Sequence, residues 1–232
     1  RGRYPGWAAY VDATLKLSDQ FDVGVGVRYS DETKEFGILG LPVESQLGPY
    51  FALGFTSTDF LTDKMSWDAF TPRFIMRYYP NEEWMIFASA TRGFKAGGFG
   101  SFSIVPDSIT FCGPFDDSCL NLAPGDALPD TFDPARSWSY ELGVKGDLGS
   151  FARVDANVYY YTYRDLQQTI VGNGGGIVVE NIGRVKGWGV EGSIDANLNE
   201  YVSLLLAGAY NGTEATEVQP LCDGLDICEG NS

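Results

Sequence analysis

The feature that most restricts this chain is residues 137–168, SWSYELGVKGDLGSFARVDANVYYYTYRDLQQ. Trp138, Tyr140, Leu142, Val144 and Leu148 fall on one parity, and Ser139, Glu141, Gly143, Lys145 and Asp147 on the other. Beyond Gly149 and Ser150 the pattern resumes, with Ala152, Val154, Ala156, Val158 and Tyr160 opposed to Arg153, Asp155, Asn157, Tyr159 and Tyr161. Successive side chains of a strand point to opposite sides, so the stretch is a long β-hairpin with one apolar and one polar face. Each arm runs about ten residues or more, against a usual five or six, and about nine to eleven residues carry a tilted strand across a bilayer. The expectation is an all-β fold: an antiparallel transmembrane β-barrel wall, apolar outward and polar inward.

Composition narrows the alternatives. No run of about 18 apolar residues exists, so a transmembrane helix is excluded. The start, RGRYPGW, has no basic-then-apolar pattern of a signal peptide, so an exported chain would begin upstream. A net charge of −15 argues against nucleic acid as a partner, because phosphates need clustered cations. With no histidine, Ser-His-Asp and Cys-His catalysis and HExxH metal sites are unavailable. A P-loop is absent too. An enzyme is not expected, and neither is a resident metal or cofactor. The cysteines fall as two close pairs, Cys112/Cys119 and Cys222/Cys228, in polar segments. They are disulfide candidates; two local loops are the simplest of three connectivities, and they imply an oxidising compartment.

Taken in order, residues 7–17 and 21–30 alternate cleanly around a turn at 18–20. Residues 31–64 lose the alternation and read as a long loop. Residues 67–79 and 84–95 form a second hairpin around 80–83, with Pro72 implying a bulge or an unpaired position. Residues 96–135 read as a long acidic loop, 172–176 as a flexible link, and 181–198 and 201–210 as strands around a turn near 199–200; 211–232 reads as another loop. Eight strands result. Short connections at 18–20, 80–83, 147–150 and 199–200 alternate with long or Gly-rich ones, as outer-membrane barrels alternate periplasmic turns with extracellular loops. Aromatics gather near the strand ends on the apolar parity, including Trp7, Phe21, Tyr29, Phe70, Tyr78, Trp84, Trp138, Tyr140, Tyr160 and Trp188, where interfacial girdles belong. The same charges on the polar parity would suit a soluble sandwich equally well.

Several stretches together resemble the barrel of TonB-dependent outer-membrane receptors. WDAFTPRFIMRYYPNEEWMIFASATRGFKAGGFGS (67–101), FDPARSWSYELGVKGDL (132–148), the Tyr-rich strand ending YRDLQQ (163–168) and ENIGRVKGWGVEGSIDANL (180–198) follow that family's order. WAAYVDATLKLSDQFDVGVGVRYSDETKEF (7–36) resembles its preceding hairpin. The family's barrel has about twenty-two strands and a plugged lumen, so residues 1–232 are expected to be one internal piece of such a barrel.

What the resemblance implies is uptake of a scarce nutrient, above all an iron–siderophore complex, in the outer membrane of a Gram-negative bacterium. Expected partners are membrane lipid, the receptor's own plug domain, an inner-membrane energy-coupling complex and a small-molecule ligand. A passive porin and a soluble carbohydrate-binding β-sandwich are the alternatives. The lumen-facing candidates for plug or ligand contact are Arg28, Arg73, Arg77, Arg153, Glu141 and Glu191. Gly97 and Gly98 in RGFKAGG are expected to serve a bend at the strand exit rather than to cradle phosphate.

Overall fold

A computed structural model describes residues 1–40, 56–105, 122–171 and 177–217. Its strands are β1 (Gly2–Arg3), β2 (Gly6–Ser18), β3 (Phe21–Ile38), β4 (Leu61–Tyr78), β5 (Trp84–Lys95), β6 (Gly98–Val105), β7 (Leu128–Phe132), β8 (Ala135–Leu148), β9 (Ala152–Arg164), β10 (Gln167–Val171), β11 (Ile177–Asn181), β12 (Arg184–Asn199) and β13 (Val202–Glu217). The wall is one antiparallel sheet in the order β1-β3-β4-β5-β8-β9-β12-β13, with β2 also on β3. It does not close on itself among the described residues. The eight strands read from alternation are β2, β3, β4, β5, β8, β9, β12 and β13.

Directly opposed residues of an antiparallel pair share a face. One row therefore runs Asp12, Gly26, Arg73, Thr91, Ser139, Tyr161, Gly187, Thr213 across the sheet, wholly polar but for its glycines. The row next to it on the other face, one residue nearer the short turns, is Phe74, Ala90, Tyr140, Tyr160, Trp188, Gly212, and it is apolar but for its tyrosine hydroxyls. That apolar face stays open to its surroundings: Val25, Phe70, Phe74, Ile86, Leu142, Val158, Val190, Ile194 and Leu206 are all exposed. A soluble protein rarely leaves so wide an apolar patch bare. In lipid it is satisfied.

Aromatics edge this face at both ends. Trp7 packs on Tyr29 (5.5 Å), Trp138 on Tyr140 (6.1 Å) and Trp188 on Tyr210 (5.7 Å) toward the long loops. Phe21 opposite Tyr78, with Trp84 and Tyr201, stand beside the short turns. Phe21 and Tyr29 are eight residues apart on β3, so at ~3.4 Å per residue and a tilt near 40° the girdles stand about 21 Å apart in height, close to the ~25 Å apolar band of an outer-membrane barrel.

Three segments expected as loops contain more strand than their alternation showed. Within 31–64, β3 continues to Ile38 and β4 begins at Leu61, in register throughout. Within 96–135, β6 pairs β7, and within 211–232, β13 runs to Glu217. The cause is positional. Above the girdle the outer parity carries Asp31, Thr33 and Glu35, while the inner parity carries Trp67, Phe36, Ile38 and Leu61. No lipid faces these stretches, so the pattern inverts instead of continuing. Ile38, Leu61, Ile104 and Ala127 form a small core there with Phe36 and Leu122 against it.

The Tyr-rich strand also divides. Asp165 takes φ 55°, and Gly183 on the returning strand φ 90°; Ile182 N–H donates to Leu166 O at 2.8 Å. The left-handed region suits Gly and, among the rest, Asn and Asp. The paired kinks separate β10–β11 from the wall as a sheet of their own. At Pro72 the register with β3 is unbroken, whereas the β4–β5 ladder runs only from Tyr78 to Arg73, so the position without an N–H lies where that pairing ends. The link at 172–176 and the cysteines Cys112, Cys119, Cys222 and Cys228 lie outside the described residues.

Candidate functional site

The polar face divides into two zones. In the half next to the short turns, charges pair across neighbouring strands. Arg77 meets its register partner Asp22 at 2.8 Å, and Lys145 meets Asp155 at 2.6 Å. Arg153 grips Asp147 through two nitrogens at 2.9 and 3.3 Å. Tyr79, just outside β4, donates its hydroxyl to Asp22 at 3.1 Å. Burial first, then that hydrogen bond and the Asp22 charge, push the Tyr79 phenol above its ordinary pKa.

Arg73 needs a longer reach, because β3 stands between it and Asp12 on β2. Gly26 occupies the intervening row position, and the Asp12 carboxylate lies where a Cβ there would sit, 3.5 Å from Arg73. Glycine earns its place here through what passes over it.

The same device builds the second zone. Tyr159, Tyr161 and Tyr163 project from one face of β9. The first two stack at 6.3 Å and 12°, and the second meets the third edge-on at 5.6 Å. Gly189 and Gly187 on β12 lie beneath Tyr159 and Tyr161, and a Cβ at Gly187 would come 2.6 Å from Tyr161 Cε2. Tyr161 thereby spans β12 and shares a hydrogen bond with Thr213 of β13 at 3.1 Å. This tyrosine column was not among the residues singled out from sequence. Its signal was there, in tyrosines two apart on β9 facing glycines two apart on β12.

Nearer the long loops, Lys34 sits 5.7 Å over the Trp67 ring and donates to Gly97 O at 2.6 Å. A cleft of about 430 Å³ opens here, with Glu32, Lys34, Lys95, Phe132 and Gln167 in its lining. Gly97 and Gly98 mark the exit of β5, and a Cβ at either would meet Phe132 at 2.5 Å. Two polar side chains knit the exits together. Gln167 donates to Ala96 O and Asp133 O, both at 2.9 Å, and Asn181 donates to Asp133 O at 2.9 Å and Asp165 O at 2.7 Å.

Of the six lumen-facing candidates, Arg73, Arg77 and Arg153 are in ion pairs. Glu141 accepts a 2.6 Å bond from Asn157. Arg28 donates to the buried Ser30 hydroxyl at 3.0 Å. Glu191 is exposed opposite Asn157 and Ala209. They share a face without converging on one centre: Arg28, Arg73 and Arg77 lie on β3 and β4, and the others on β8, β9 and β12.

A sheet with a lipid-type outer face between two aromatic girdles and an ion-paired inner face is a wall of an outer-membrane β-barrel. Residues 1–226 match the family described as TonB dependent receptor-like, beta-barrel, and this chain belongs to it. The family comprises transport receptors of the Gram-negative outer membrane, not enzymes. The chain is 28% identical to the pesticin receptor of Yersinia enterocolitica over 79% of its length, and 28% identical to that of Yersinia pestis over 69%. It spans 22% and 19% of those relatives. Among solved structures, the ferric yersiniabactin uptake receptor FyuA from Yersinia pestis superposes with a TM-score of 0.64 at 20% identity, covering 92% of this chain and 27% of that one. The copper transporter OprC superposes at 0.63 with 12% identity, covering 92% and 30%. The alcaligin receptor FauA from Bordetella pertussis does so at 0.58 with 16%, covering 94% and 32%. These likenesses concern the fold.

Proposed function

We propose that this chain, from residue 1 to 232, is one stretch of barrel wall in a receptor importing an iron–siderophore complex by energy-coupled transport. The observation that carries the reading is the division of the polar face. Paired charges near the short turns make a fixed surface suited to a plug domain. The tyrosine column and the lysines Lys34 and Lys95 toward the long loops suit an anionic, aromatic iron chelate. Kinship with the pesticin receptors and the fold shared with ferric yersiniabactin and alcaligin receptors point the same way. The full receptor would capture ligand at its extracellular end and release it after an inner-membrane complex displaces the plug. The two cysteine pairs, Cys112/Cys119 and Cys222/Cys228, are assigned to disulfides bracing extracellular loops.

The test is uptake by cells whose only such receptor is the full-length protein. Radiolabelled ferric phenolate–siderophore should accumulate and should stop when the proton-motive force is collapsed. Accumulation that survives the collapse would support a passive pore instead. The fold shared with OprC makes copper the second cargo to assay, and copper uptake without iron uptake would overturn the proposal.

A further inference from the structure

The outer face changes character just above the girdle. On the lipid-side parity stand Arg92 on β5, Arg136 on β8, Arg164 on β9 and Arg184 and Lys186 on β12. They are five of only 16 Lys and Arg in a chain of net charge −15. Arg92, Trp138, Thr162 and Lys186 form one row, closed on β13 by Glu214. Arg136 and Arg164 are direct register partners one step higher. Like charges opposed in this way repel and cost stability. Among the described residues, none of Arg92, Arg136, Arg164 and Lys186 is in an ion pair. All but the half-buried Arg92 are exposed. At the same level farther along the wall, Asp31 and Asp68 oppose each other, so the positive sign is confined to β5, β8, β9 and β12.

We propose that this patch binds the phosphorylated headgroup of lipopolysaccharide in the outer leaflet. The long loops mark the extracellular side, so the patch sits at headgroup height immediately beyond the girdle. Guanidinium groups take phosphate oxygens in pairs, and an anion between Arg136 and Arg164 turns their repulsion into a shared contact. Directly below lie Trp138, Tyr140, Leu142, Val158 and Val190, an apolar slope for acyl chains. A soluble phosphate would use the upper half alone; a phosphorylated glycolipid uses both.

The experiment titrates the full-length receptor, in non-ionic detergent, with diphosphoryl lipid A and counts bound lipid by native mass spectrometry. Parallel titrations use lipid A stripped of phosphate, and competition with millimolar pyrophosphate. The Arg136→Gln/Arg164→Gln/Lys186→Gln variant should bind diphosphoryl lipid A at least tenfold more weakly, since each surface cation is worth about fivefold toward an anionic headgroup. Dephosphorylated lipid A should bind the wild type as weakly, pyrophosphate should not displace the lipid, and Asp31→Asn/Asp68→Asn should not weaken binding. Unchanged affinity in the triple variant, equal binding of dephosphorylated lipid, or full displacement by pyrophosphate would overturn the proposal. The two lipids compared on wild type decide the matter even where the triple variant does not fold. Ligand uptake should be indifferent to it.

Discussion

Ile194 and Ser193 are neighbours on β12 at one height and on opposite faces, so one substitution can be asked of both. Ile194 faces the apolar side, 44% exposed, opposite Val154 and Leu206. Ser193 faces the polar side, opposite Asp155 and Ala207. From girdle residue Trp188 to Ile194 is six residues, which at ~3.4 Å each and a tilt near 40° descends about 16 Å into a band about 25 Å tall. That places Ile194 within about 4 Å of the midplane, where an arginine on the lipid face of a barrel costs about 2–4 kcal/mol. Ile194→Arg should therefore shift the folding equilibrium of the full-length barrel in lipid vesicles by roughly 30- to 1000-fold. Ser193→Arg, set beside Asp155 on the wet side, should stay within about 0.5 kcal/mol of wild type. The assay is guanidinium unfolding followed by tryptophan fluorescence. If this face met water, replacing a side chain already 44% exposed would also cost little, and the two variants would match. Equal midpoints would refute the assignment of faces.

Three further outcomes are expected. Gly187→Val drives a side chain into the Tyr161 ring and breaks its link to Thr213, and should cost about 1–3 kcal/mol by the same unfolding assay; Gly208→Val, whose Cβ meets nothing within 4 Å, should not. Arg77→Ala should destabilise more than Arg153→Ala, because the Arg77–Asp22 side chains are 24% and 14% exposed and the Arg153–Asp147 pair 74% and 43%; the latter should leave the unfolding midpoint nearly unchanged. Tyr79 has its pKa raised in the folded state, so its contribution is complete below the ordinary phenol range and is lost as pH climbs through the raised value; Tyr79→Phe should flatten the alkaline limb of stability against pH.

The wall itself was legible because lipid imposes a strict rule. Every second residue from Phe21 to Tyr29 or from Trp188 to Leu198 must be apolar or small, and the opposite parity is free to be polar. The rule lapses above the girdle, so Asp31 to Ile38 and the start of β4 looked like loop although they pair residue for residue. The motif residues were visible before their roles were. Gln167 and Asn181 read as pieces of a family pattern, and only the folded chain shows them closing the exits of β5 and β9 onto residue 133. Arg73, Arg77 and Arg153 were read onto the polar parity, but their ion-pair partners depend on register, which brings Gly26 of the intervening strand between Arg73 and Asp12.

Pro72 has a mechanical corollary. Below it, β3, β4, β5 and β8 are laddered side by side, and a load on any one is shared along the hydrogen-bonded hoop. Above it, β4 is laddered to β3 alone, over the eleven pairs from Thr71 up to Leu61. The upper lengths of β3 and β4, with β1 and β2 on the far edge of β3, thus form a stave that no ladder joins to β5 and that only side chains tie there, through Lys34 on Gly97 and the core of Ile38, Leu61, Ile104 and Ala127. Bending this stave of β1 to β4 outward together breaks no ladder with β5, only those side-chain contacts. The mouth of the barrel can change width on this side while its waist keeps its girth.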